Sequence, residues 1–286
     1  MKTKLTLSIL FSTLLLVMDQ IAFSQEYTSY SKIAVDIKDP MRMQQLVDLG
    51  LAVDHYEMLD NGSIAFYAIE DELETLNEEG IPFNIIIMDF NEFYDQQTLL
   101  DAPLVAGMQR SNTVANGFDL GSMGGFYTYA EVEAKLDEMK MDYPNLITTR
   151  TSIGTSIEGR EIWMAKISDN PTVTENEPRA YFDALHHARE PLAMATTINF
   201  MFWLLENYGS DPQVTYLVDN REIYFVPVVN PDGYEYNRQT NPNGGGLWRK
   251  NRNPNDGSCV GVDLNRNYAF GYANNNSCSS PDPCSG

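Results

Sequence analysis

The chain has 286 residues, 43% hydrophobic and 21% charged, an ordinary globular balance and enough for one large domain or two of usual size. Its 40 acidic residues against 19 basic ones leave a net charge of −21. A field of that sign repels phosphate backbones, so no nucleic-acid partner is expected.

Lys2 and Lys4 precede an apolar run over residues 5–17, and Ala22-Phe23-Ser24 fits the small-x-small rule of signal cleavage. Residues 1–24 therefore read as the signal peptide of a secreted protein, periplasmic or extracellular. The run is too short to span a bilayer comfortably and no second one follows, so no membrane anchor is expected. Cys259, Cys278 and Cys284 suit an oxidising compartment and at least one disulfide, the odd cysteine being either a free thiol or paired beyond this chain.

Residues 25–95 read as a compact unit. A strand is predicted over 31–38 and a helix over 40–49. Two strands over 53–59 and 63–69 flank the hairpin signal Asp60-Asn61-Gly62. A helix over 71–79 ends at Gly80, and a strand over 81–88 follows. This β-α-β-β-α-β order is that of an α+β ferredoxin-like split unit. His55 lies in it alone, away from other catalytic residue types, and reads as a structural or exposed histidine. From residue 91 the composition shifts to Asp, Gln, Asn, Ser and Gly. We place an exposed, protease-sensitive linker at 96–125. A small unit, a labile linker and a larger domain together suggest a zymogen.

Residues 126–286 alternate strands and helices, the mark of an α/β domain with a mixed sheet. The capping box Thr128-x-x-Glu131 opens a helix to about residue 142. Strands over 146–153 and 160–168 form a hairpin. A more apolar strand over 178–185 should be buried. Helices over 191–208 and 211–220 precede a strand over 223–229. Beyond Pro231 the chain is expected to be loop-like.

The stretch Asp183-Ala-Leu-His-His-Ala-Arg-Glu190 holds two of the three histidines and ends a predicted strand, where α/β sheets place their sites. His187 and Glu190 form a His-x-x-Glu pair, and imidazole with carboxylate suits Zn²⁺. His186 should face the other way on extended backbone. Asn230-Pro-Asp-Gly233 reads as a turn. Trp248-Arg-Lys-Asn-Arg252 gathers cations in an acidic chain and reads as an anion clamp. Asn265-Arg266 reads as a carboxylate fork.

Taken with Ser156-Ile-Glu-Gly-Arg160 and with Val262-Asp-Leu-Asn-Arg-Asn267, these motifs resemble, in order, the zinc carboxypeptidase family of the pancreatic carboxypeptidases A and B. The resemblance runs from about residue 126 to the end. It implies a mixed-sheet zinc-peptidase domain behind a pro-region, and a secreted metallocarboxypeptidase that removes C-terminal residues by zinc-activated water. His187 and Glu190 would bind one Zn²⁺. Arg252 would be catalytic, polarising the scissile carbonyl and stabilising the oxyanion. Arg189, Arg249, Asn265 and Arg266 would bind substrate, the last two gripping its terminal carboxylate. Cys259 would pair with Cys284. The implied partner is a peptide or protein with a free C-terminus, met by a monomer.

The resemblance also calls for a later histidine as third zinc ligand, a later tyrosine that closes over the substrate and a later glutamate as general base. No histidine follows His187. The chain is therefore expected to be the N-terminal part of a longer precursor, inactive and weakly zinc-binding by itself. Two other readings stay open: a zinc amidohydrolase of the same fold acting on cell-wall or small-molecule amides, and a non-catalytic truncated binding module.

Overall fold

The computed structural model describes residues 29–97, 114–255 and 259–269. The expectations for residues 1–24, for most of the linker, and for Cys278 and Cys284 lie outside the described residues.

The N-terminal unit runs β1 (Tyr30–Asp36), α1 (Arg42–Asp48), a turn of 3-10 helix (Val53–His55), β2 (Glu57–Met58), β3 (Ser63–Ile69), α2 (Glu70–Glu78) and β4 (Phe83–Ile87). Its sheet has the order β2-β3-β1-β4, every neighbour antiparallel. Ile33, Val35, Ile64 and Phe66 point from the sheet onto Leu46 of α1 and Leu76 of α2, forming a small closed core. The hairpin signal works as expected: Gly62 takes φ +81°, and its N–H donates to Leu59 O at 3.0 Å. The strand expected over 53–59 is shorter than predicted. Leu51 and Val53 are drawn into the core, which curls the chain into the 3-10 turn and leaves only Glu57 and Met58 to pair with β3.

Residues 90–97 are helical. Phe90 packs edge-on against Tyr67 of β3, with ring centroids 4.6 Å apart. The described end of the expected linker also departs from the exposed reading. Ala115 and Met123 are buried in the large core, and the N–H groups of Asn116 and Gly117 donate to the Glu206 carboxylate at 2.8 and 2.6 Å.

The larger unit contains α3 (Tyr129–Asp142), β5 (Thr151–Thr155), β6 (Glu161–Ile167), β7 (Arg179–Asp183), α4 (Pro191–Asn207), α5 (Pro212–Asp219), β8 (Glu222–Val226) and α6 (Pro231–Thr240). Its sheet order is β5-β6-β8-β7, with β7 and β8 parallel and the other pairs antiparallel. The capping box forms as predicted: Thr128 Oγ1 accepts from Glu131 N–H and the Glu131 carboxylate accepts from Thr128 N–H. Helix α4 starts with proline, where a missing N–H costs nothing, and buries Met194, Ile198, Met201, Phe202 and Leu205 on its core face.

Two expectations are corrected here. β7 is the edge strand among the described residues, so Tyr181 and Phe182 are exposed rather than buried. The loop expected after Pro231 begins instead as a helix, Pro231–Thr240. Asn230 caps it by accepting from Gly233 N–H at 3.0 Å, and Pro231 occupies its first turn. Asn and Pro, two of the residues in the Asn230-Pro-Asp-Gly233 turn reading, are helix-start residues as well.

Candidate metal centre and anion cavity

The site forms where the parallel strands β7 and β8 end. The ladder continues one step, with Ala184 N–H donating to Val226 O at 3.1 Å. Leu185 then takes φ +59°, a left-handed conformation that a buried leucine rarely adopts, and the chain turns off the sheet. Asn230 N–H donates to Leu185 O, which holds the turn against the end of β8. His187 and Glu190 lie on this turn, immediately before α4.

Asn230 is the staple of the site. Its side-chain amide donates to His186 O and Lys250 O at 3.0 Å each, tying the histidine turn to the arginine loop. Ala188 N–H adds a backbone bond to Arg249 O. Asp232, buried two residues on, accepts from Ser156 Oγ at 2.6 Å, Glu158 N–H at 2.9 Å and Arg160 Nη1 at 2.7 Å. Gly233 is required by closeness, since a Cβ there would sit 2.4 Å from Lys250 O. On the next turn of α6, Asn237 exchanges two 2.9 Å bonds with the Trp248 backbone. One helix start thus gathers motifs that are distant in sequence. Reading Asn230-Pro-Asp-Gly233 as a turn missed that role entirely.

His187 is buried, with Nδ1 2.9 Å from Glu190 Oε1 and Nε2 3.2 Å from Asp263 Oδ1. The other Asp263 oxygen accepts from Arg249 Nε and Nη2 at 3.0 and 2.8 Å. Burial pulls the His187 pKa down, but hydrogen bonds to Asp263 and Glu190 outweigh it and the net shift is upward. Burial raises Glu190 and Asp263, yet the His187 hydrogen bonds, with Arg249 acting on both, hold each carboxyl below its usual range. An imidazole and a carboxylate facing one point, with a second carboxylate gripping the far ring nitrogen, is a donor set that fits Zn²⁺. Asp263 was assigned no role from the sequence, although it lies inside the Val262–Asn267 motif.

Asp263 also caps the 3-10 turn Leu264–Arg266, accepting from Asn265 N–H at 2.9 Å. One carboxylate therefore positions the histidine, Arg249 and the Asn265-Arg266 fork together. Asn265 and Arg266 line a cavity of about 400 Å³ with His187, Glu190, Asp183 and His186. His186 turns away from the pair, its Nε2 meeting Tyr268 Oη.

The other predicted residues are placed differently. The Arg249 guanidinium is buried against Asp263 and fixes that carboxylate. Arg252 does not line the 400 Å³ cavity. It stacks on Tyr236 and Trp248, 3.9 and 4.4 Å from their ring centroids. Arg189 lines a neighbouring cavity with Ala52, His55 and Tyr67 of the N-terminal unit. That unit therefore faces the site. Burial raises the Glu72 pKa even though the charges of Arg189 and Lys250 act to lower it. His55, expected to stand alone, has its Nε2 3.2 Å from Glu190 Oε1 and its ring 5.8 Å from that of His187.

Comparison with known proteins identifies the family. A family model described as zinc carboxypeptidase matches residues 132–286. A zinc carboxypeptidase of Saccharothrix mutabilis subsp. capreolus is 41% identical over 146 residues, covering 51% of this chain and 33% of that protein. Carboxypeptidase A2 of Mus musculus is 30% identical over 219 residues, covering 76% of this chain and 48% of that protein. This chain thus spans less than half the length of both relatives. Among solved structures, carboxypeptidase A from Helicoverpa armigera superposes with a TM-score of 0.62 at 24% identity, over 89% of this chain and 62% of that one. Thrombin-activatable fibrinolysis inhibitor gives 0.59 at 23% identity, over 90% and 63%. At such identities the likeness is one of fold.

Proposed function

The chain belongs to the zinc carboxypeptidase family, whose model matches residues 132–286, and from that premise we propose that the protein removes C-terminal residues from peptides at a Zn²⁺ held by His187 and Glu190. The observation that supports this most is that the metal pair and the Asn265-Arg266 fork line one cavity of about 400 Å³. A peptide's terminal carboxylate would meet Arg266 while a peptide bond lies near the metal pair. A carboxylate grip in the same cavity as the metal pair is what an exopeptidase needs.

Zn²⁺ supplies Lewis acidity when bound. The chain's own residues do the rest. Asp263 holds His187 in the tautomer and orientation that leave Nδ1 facing Glu190. Asn265 and Arg266 bind the substrate carboxylate, with Arg189 as a further cation on the approach. Arg252 is proposed to reach the scissile carbonyl oxygen and to stabilise negative charge there. That role requires it to leave the rings of Tyr236 and Trp248. The third ligand and the general base implied by the family resemblance belong, in this reading, to length of the relatives that this chain does not span.

The finer proposals rest on sequence. Residues 1–24 direct secretion, residues 25–95 are a pro-region joined by the linker at 96–125 to the catalytic domain, and Cys259 pairs with Cys284. The protein acts as a monomer. Among the described residues no helix is long and apolar enough to cross a membrane.

The test compares one peptide with a free C-terminus and the same peptide amidated, using the protein that carries this chain. The free peptide is expected to be trimmed and the amide spared. Arg266→Ala should raise KM for the free peptide at least about tenfold, the worth of a lost charge-assisted hydrogen bond. Equal hydrolysis of both peptides would sink the exopeptidase reading.

A further inference from the structure

The N-terminal unit delivers a third donor to the His187–Glu190 pair. His55 ends the 3-10 turn Val53–His55, and Val53, two residues earlier, is buried in the unit's core. The turn is thereby fixed to the small sheet, while the imidazole projects away from it toward the other unit. Its Nε2 lies 3.2 Å from Glu190 Oε1, and Glu190 Oε1 lies 2.9 Å from His187 Nδ1. One ligand atom from each of the three residues falls within 4.8 Å of the other two.

Those separations have a chemical meaning. Zinc bonds to imidazole nitrogen and carboxylate oxygen of about 2.0–2.2 Å place neighbouring tetrahedral ligands about 3.4 Å apart. The two measured contacts are close to that edge length. The remaining pair, the two imidazoles, is limited to 4.8 Å and needs only a small approach. The two rings meet edge to face at 75°, so neither blocks the other's nitrogen. A plain surface ion pair of His55 with Glu190 would contribute little to the fold. It would also give no reason for a second imidazole to aim at the same carboxylate oxygen.

We propose that His55 is a further metal ligand donated by the N-terminal unit, joining His187 and Glu190 at the Zn²⁺ in addition to the ligand that the family resemblance assigns to length this chain does not span. The proposal rests on the reading of His187 and Glu190 as zinc ligands. While the N-terminal unit is docked, His55 holds a coordination position that faces the substrate cavity, and Ala52 and Tyr67 flank it beside Arg189. Undocking removes the ligand and the cover in one movement. The metal would thus fasten the N-terminal unit over the site, and the unit would tighten the metal. Each binding event favours the other by the same factor.

The experiment uses the 286-residue chain, freed of metal by a chelator and titrated with Zn²⁺ in competition with a chromophoric chelator, and with Co²⁺ for its visible spectrum. One ion per chain is expected. His55→Ala should weaken binding by more than the about 10–100-fold that loss of an orienting partner costs, and should dim and shift the Co²⁺ bands. His186→Ala should leave both unchanged. His55→Cys should add a thiolate-to-cobalt charge-transfer band in the near ultraviolet, a signal that arises only if position 55 reaches the ion. X-ray absorption of the unaltered zinc complex should count two imidazoles, a readout that depends on no variant. If His55→Ala binds as the parent does, His55→Cys gives no new band and one imidazole is counted, the His55 proposal falls. In that case loss of the metal with His187→Ala leaves the two-ligand reading standing. If His187→Ala and Glu190→Ala also bind as the parent does, the metal pair itself is wrong.

Discussion

Asp263 concentrates the logic of the site in one side chain. One oxygen holds His187 and the other holds Arg249, whose guanidinium is buried with it. Asp263→Asn keeps the shape but removes the charge that both partners depend on. Zinc affinity should fall about 10–100-fold, read by chelator competition. A separate melt in chelator should show a loss of about 3–5 kcal/mol, because Arg249 then carries a buried charge without its partner. An unchanged affinity would mean that Asp263 serves the fold alone. At this scale the sequence was unevenly legible. His187 and Glu190 could be read as candidates because, three residues apart and just after a strand end, they carry donor types a metal wants. Asp263, Asn230 and Asp232 act through hydrogen bonds to residues far along the chain, and no local pattern records such partners. His55 was missed for the same reason, as its meaning exists only once two separately folded units meet.

Among the elements, the polar core of the larger sheet makes the clearest prediction. Glu222 opens β8 fully buried, bonded to Lys166 Nζ at 2.9 Å and Arg179 Nε at 2.8 Å. The hydrogen bonds from Lys166 and Arg179 lower its pKa to about 2. Because the folded value lies below the ordinary carboxyl value, the stabilisation is complete at neutral pH and is lost as pH falls from about 4.3 toward about 2. Thermal melts should therefore show the parent well above Glu222→Gln at pH 6, with the gap closing across that acid window. A gap that is the same at pH 6 and pH 2.5 would contradict it. Helices announced by a capping box or an N-terminal proline, α3 and α4, were read within a residue or two. The exposure of β7 was not, since an apolar strand reads the same at an edge as in the centre of a sheet. α6 was hidden because Asn-Pro-Asp-Gly serves turns and helix starts alike.

At the level of the whole molecule, an acidic N-terminal unit faces the cations of the larger one. Glu72 feels Arg189 and Lys250, and burial lifts the Tyr30 hydroxyl's pKa beside Arg189 and Arg252. Arg110 is the single trypsin site between residues 91 and 125. Limited trypsin should cut there first, giving two fragments that stay together in low salt. Raising the salt should separate them on gel filtration, since charge pairs at a partly solvated interface are screened within about 8–10 Å near physiological ionic strength. Fragments that remain joined in high salt would point to an apolar interface instead.

The chain has three tryptophans, and their placement makes one of them an optical gauge of docking. Trp163 carries the Arg150 guanidinium over its ring, and Trp203 stacks on Phe200, so both belong to the larger unit's own packing. Trp248 alone lines the cavity shared with Tyr30, Glu72 and Tyr67 of the N-terminal unit, under the guanidinium of Arg252. Departure of the N-terminal unit wets that indole and leaves the other two as they were. The emission maximum of the unlabelled protein therefore reports how much of it is closed, in real time.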